Sequence, residues 1–206
     1  MNATAQDDLS RLRAIAEQGR SVPLLGGWQL ILWGGAMTLA LLINWAVIER
    51  ILPWPGYALS LSWFGIVLAA WAGSAMIGRR LAGEPGASSV GNRVEHAAWT
   101  TAGAVLLILA LALLARALAS GEPEAWQSFS MMPPVTFGAY AVALQASAVA
   151  GASTTARPYV LVALAFAAGT AFLIDDPLQH LVAAAGIALV SIPAGLGHLR
   201  AARRAN

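Results

Sequence analysis

The sequence has no cysteine. That excludes disulfides, thiolate metal centres, iron–sulfur clusters and a cysteine nucleophile. Lysine is missing too: all 12 basic residues are arginine, which rules out a retinal Schiff base and any catalytic lysine. Charge of either sign is scarce, at 11% of residues, where a soluble domain carries about 25%. Residues 81–95 are glycine- and serine-rich, but they lack the glycine-lysine-Ser/Thr ending that a phosphate-binding loop needs. Glu95-His96 lacks the second histidine four residues on that would make a zinc helix. Met131 and Met132 have too few soft neighbours for copper(I). No catalytic residue, resident metal or cofactor is expected.

What is present is apolar. Hydrophobic residues make up 58% of the 206 positions, with a mean hydropathy of +0.67. They fall in six runs, at about 24–48, 57–78, 98–119, 135–152, 158–174 and 178–199. An α-helix rises about 1.5 Å per residue, so about 20 apolar residues cross a hydrocarbon core of about 30 Å. Membrane-barrel strands would be about 10 residues long and alternating; these runs are longer and unbroken. The expected fold is all-α: a polytopic six-helix transmembrane bundle over 23–199, with a tail at 1–22 and a basic tail at 200–206.

The first 22 residues are polar, and the first run is longer than the signal-peptide core of about 7–15 residues. The first segment therefore reads as a retained anchor. Residues 5–18 read as a short amphipathic helix, with Leu9, Leu12, Ile15 and Ala16 on one face.

Arginine orients the chain. Arg11, Arg13, Arg20, Arg79, Arg80, Arg93, Arg157, Arg200, Arg203 and Arg204 fall on one side of a six-span protein; only Arg50 and Arg116 fall on the other. The positive-inside rule places both termini in the cytoplasm. Exclusive arginine with abundant alanine points to a GC-rich bacterial genome, and so to the bacterial inner (plasma) membrane. The basic balance is membrane topology, not nucleic-acid binding, because no basic stripe with stacking residues accompanies it.

Small residues at four-residue spacing let membrane helices approach closely. Gly65, Ala69 and Gly73 form one such stripe, and Ala139, Ala143, Ser147 and Gly151 another. Gly26, Gly27, Gly34 and Gly35 lighten the start of the first helix, and Pro193, Gly195 and Gly197 loosen the end of the last.

Every Asp, Glu and Arg falls at or near an interface, which argues against a proton-coupled pump within one protomer. The candidate binding residues are few. Gln145 is placed near mid-membrane and Asn44 near the outer end of the first helix. Of the eight tryptophans, Trp33, Trp63 and Trp71 lie deep enough to line a pocket. His96 and His198 share a depth at the cytoplasmic side, whereas His180 lies about 27 Å from His198 along one helix. The partners expected are the lipid bilayer, a protein at the cytoplasmic face, and further copies of the chain. The first functional expectation is a non-enzymatic accessory or sensor subunit. A small transporter or channel oligomer lined by Gln145, Ser147, Thr136 or Asn44 is the alternative, and a redox protein using His96 and His198 is the third.

Overall fold

A computed structural model describes residues 24–84, 86–151 and 157–205; the amphipathic helix expected at 5–18 lies outside them. Among the described residues the chain is all-helical. Six α-helices follow in order: α1 (Gly27–Ile48), α2 (Gly56–Leu81), α3 (Val90–Ser120), α4 (Met132–Ala150), α5 (Arg157–Phe172) and α6 (Leu178–Ala205). A 3-10 segment, Pro123–Met131, precedes α4.

Local chemistry sets the boundaries. Pro55, in extended conformation, stands before α2, and Arg79 and Arg80 lie in its last turn, where a cation complements the helix dipole. Ser89 caps α3 by accepting the Asn92 N–H at 3.3 Å. Gly121 ends α3 with φ +66°, the left-handed conformation that glycine adopts freely. Prolines occupy the first turn of α4, where a missing N–H costs nothing. Asp176 accepts the Leu178 N–H at 2.8 Å and starts α6.

Four helices are long and apolar enough to cross a membrane: α1, α2 from Ala58, α3, and α6 through Arg204. The six expected runs thus become six helices of which four meet that standard. The other two fall short for separate reasons. α4 carries Thr136, Tyr140, Gln145 and Ser147 among its apolar residues. α5 has only 16 residues, or about 24 Å of helix.

Successive helices run antiparallel between two ends. One end gathers the start of α1, the end of α2, the start of α3, the end of α4 and the end of α6, through Gln29–Ser74, Gly26–Glu95, Gly91–Ala150 and Gly27–Gly195 contacts. Arg79, Arg80, Arg93, Arg200, Arg203 and Arg204 belong to this end. The other end joins Ser130, Thr170 and Gln179. By their main packing contacts the helices follow one another as α2, α1, α6, α5, α4, α3, with α4 also touching α6 and the start of α3 reaching α1 and α6. The neighbours in sequence, α2 and α3, thus form the two edges.

The tightest packing is α1 on α6. A Cβ on Gly27 would sit 2.7 Å from the Gly195 carbonyl oxygen, and one on Gly34 would sit 2.5 Å from Ser191 Cβ. Only glycine permits this approach. Halfway along, Thr38 Oγ1 donates to the Ala184 carbonyl at 3.4 Å. At that level Phe137 stacks on Phe166, 5.4 Å between centroids, and both press on Gly186. Around them Leu41, Leu144, Ala163, Ala183, Ala184, Ile187 and Val190 complete an apolar core.

Candidate functional site

α3 begins at Val90, eight residues before the apolar run that marks it in the sequence. The extension matters because it carries polar groups on a helical face. Asn92, Glu95, Trp99 and Ala102 recur at spacings of three and four and point into the bundle; Asn92, Glu95 and Ala102 are buried.

These residues serve the start of α1. A helix start leaves N–H groups without partners, and Gly26, the N-cap of α1, has no side chain to offer them. Asn92 Oδ1 accepts the Leu25 N–H at 2.8 Å, and Glu95 Oε2 accepts the Gly26 N–H at 3.2 Å. The cap of α1 therefore comes from another helix. Asn92 is held in turn by its amide, which donates to Gly86 O and Ser89 Oγ, each at 3.1 Å. The N-terminal end of a helix dipole favours the negative carboxylate placed there.

The third participant is α6. His198 Nδ1 lies 3.3 Å from Glu95 Oε1. The two atoms are close enough for an ion pair, yet outside hydrogen-bond alignment, and His198 Nε2 is buried without a partner. Glu95 is 3% exposed and His198 8%. A carboxylate, an imidazole and a helix start therefore converge from α3, α6 and α1 in a place shielded from solvent.

Two further polar groups lie toward the same end. Trp33 Nε1 donates to Ser74 Oγ at 3.1 Å, and Gln29 Nε2 donates to Ser74 O at 3.0 Å. The Ser74 hydroxyl donates back to Gln29 Oε1. This clip fastens α2 to α1. Trp99 meets Tyr140 edge-on at 5.1 Å.

The residues singled out in the sequence are scattered. His96 is exposed on α3, and its neighbour Glu95 is the residue that meets His198. Gln145 is exposed on α4, five residues beyond Tyr140. Asn44 is half-buried near the far end of α1. Trp63 packs against the core, whereas Trp71 is 67% exposed. Gly65 and Ala69 face outward on α2, and only Gly73 of that stripe meets α1, at Leu32. On α4, Ala143 and Ser147 are buried and Ala139 is half-buried; Gly151 lies against Leu24. The Ser147 hydroxyl donates to the Ala143 carbonyl of its own helix at 2.9 Å. Among the described residues no three His, Asp or Glu side chains converge as a metal centre.

Reading the sequence missed Asn92 and Glu95. Their signal was present as Ser89, Asn92 and Glu95 at three-residue spacing, a helix start placed ahead of the apolar run. Gln179, at the start of α6, is a further polar residue outside the sequence candidates. It is fully buried and donates to both Ser130 O and Thr170 O at 2.8 Å.

Comparison with protein families, curated proteins and solved structures gives no match.

Proposed function

We propose that the protein spans the bacterial inner membrane six times, with both termini in the cytoplasm, and works as a non-enzymatic accessory or sensor subunit through a protein partner at the cytoplasmic face. Two features support six spans. α4 and α5 run between the same two ends as the longer helices, and α4 buries Tyr140 and Ser147 against its neighbours rather than presenting them to lipid. The orientation rests on the arginines gathered at one end.

The observation that carries the functional reading is the Asn92–Glu95–His198 junction. It sits where residues 1–22 lead into α1 and where α6 runs on as a basic helix with Arg200, Arg203 and Arg204. The level of Phe137, Phe166 and Gly186 is packed with apolar groups. Polar, ionisable chemistry thus gathers where a cytoplasmic partner would bind. The exposed edges α2 and α3 face lipid or a further copy of the chain.

The test is co-purification of the full-length chain in mild detergent, with and without residues 1–20. The proposal expects a stoichiometric protein partner that is lost on truncation while the bundle remains inserted. A chain that purifies alone in both forms, and that carries solute flux in liposomes, would overturn it in favour of a transporter.

A further inference from the structure

We infer that the Glu95–His198 pair is a proton-operated latch on the end of α6. This rests on the reading above of the arginine-rich end as cytoplasmic, and it names the signal that end would register.

Three observations converge. First, α6 is divided at Pro193, which lies inside the helix and has no N–H to give the Leu189 carbonyl. Gly195 and Gly197 follow at once, so the segment beyond Pro193 is the part of α6 least stiffened by its own backbone. Second, that segment is held by tertiary contacts. Gly195 and Gly27 approach so closely that a Cβ on Gly195 would meet the Gly27 carbonyl oxygen at 2.6 Å. Three residues on, one turn of helix, His198 meets Glu95. Third, both members of that contact are buried ionisable groups, and histidine is the side chain that ordinarily changes charge between about pH 5 and 8.

The other charged groups around the pair are turned to solvent: Arg79 and Arg80 ending α2, Arg93 and His96 on α3, and Arg200 on α6 are all exposed. α1 presents only the Gly26 and Gly27 backbone. Among the described residues, the charge state of His198 therefore acts on Glu95 without a nearby competitor. With the proton on, an imidazolium faces a carboxylate already fixed to the start of α1. The segment beyond Pro193 is then clamped to α1 and α3. With the proton off, a carboxylate faces a neutral ring in a dry site, and the charge–charge attraction that closed the latch is lost. The sign is definite: the end of α6 is held at acidic pH and released as pH rises. The moving part carries Arg200, Arg203 and Arg204, the basic surface a cytoplasmic partner would read.

The cysteine-free chain makes the test direct. Single variants Leu199→Cys, at the half-buried position beside Gly27, and Ala201→Cys, exposed on the same segment, are labelled in membrane vesicles with an impermeant maleimide between about pH 6 and pH 8.5. Dividing the Leu199→Cys rate by the Ala201→Cys rate removes the pH dependence that the two thiols share, and the same ratio in the His198→Gln background removes the rest. The ratio is expected to rise about threefold or more across that range, and to be high and flat when His198→Gln is added. A flat ratio with His198 present would overturn the latch. Amide exchange of residues 194–205 in the unaltered chain, corrected for intrinsic exchange, is the variant-free form of the same test; unchanged protection across the range also overturns it. The vesicle orientation in which Ala201→Cys reacts tests the topology separately. Reaction only from the periplasmic side would contradict the proposed orientation, and the labelling ratio would still decide the latch.

Discussion

The two ends of the bundle solve the same problem with opposite chemistry. At the arginine-rich end the groups needing partners are N–H donors at the start of α1, and a buried anion, Glu95, accepts from Gly26. At the far end the groups are carbonyls: Thr170 O near the end of α5 and Ser130 O near the end of the 3-10 segment. There the partner is a buried amide donor, Gln179. A helix in an apolar setting must satisfy its ends within the protein, and the helix polarity dictates whether an acceptor or a donor is required. The difference has a functional consequence. The Gln179 amide has no ionisable proton, whereas the near end is closed by two buried ionisable side chains, Glu95 and His198.

This contrast can be broken by substitution. The largest effect is expected for Glu95→Ala, which strands a buried imidazole and the Gly26 N–H together. Breaking a buried pair from one side costs about 3–5 kcal/mol, to be read as lost stability in detergent unfolding. Glu95→Gln keeps an acceptor for Gly26 and should cost clearly less. At the opposite end, Gln179→Leu removes the donor to two carbonyls and should cost about 1–3 kcal/mol for the buried Thr170 carbonyl, with less for the part-buried Ser130 carbonyl. Its penalty should be the same at pH 6 and pH 8. If the Gln179→Leu penalty varies with pH as much as that of Glu95→Ala, the proposed difference between the ends disappears.

Between the ends, packing replaces polarity. Gly186→Ala would bring a methyl to 2.5 Å from Phe166 and 2.6 Å from Phe137. Overpacking of this kind costs about 1–3 kcal/mol, and thermal unfolding of the variant measures it. The smallest effect is expected on the edge helix. A Cβ on Gly65 meets nothing within 4 Å, so Gly65→Ala should change stability by less than about 0.5 kcal/mol. A large loss there, seen only above a threshold of protein concentration, would instead reveal a second copy docked on α2.

The order in which these features could be read from the sequence follows from physics. The six helices were legible because apolar runs long enough to face lipid carry a strong compositional signal. The turns at Pro55 and Asp176-Pro177 carry local signals, because proline and capping side chains act on their own neighbours. The site was not legible. Glu95 lies outside the apolar run, and a carboxylate near a membrane surface reads as solvated until its acceptor role toward a distant Gly26 is known. His96 and His198 were paired by depth alone. Depth says nothing about the face of a helix, and a rotation of about 100° per residue gave the contact to Glu95. The Gly65–Ala69–Gly73 spacing was misleading for a similar reason. Small residues permit a close approach without showing whether a neighbour exists, and α2 offers its other face to α1. Gly27, Gly34 and Gly195 permit the closest approach in the fold, and only the partner backbone distinguishes them from the glycines facing outward.

The central claim is that Glu95 of α3 and His198 of α6 act on each other while Glu95 caps α1. A double-mutant cycle measures this most directly, with Glu95→Gln, His198→Gln and the combined variant compared by reversible unfolding of the full chain in detergent near pH 6. Residues in contact couple by about 0.5–3 kcal/mol, whereas independent sites add to within about 0.3–0.5 kcal/mol. The account predicts a coupling of at least about 1 kcal/mol near pH 6, shrinking as pH rises to 8.5. Additive losses at both pH values would contradict it.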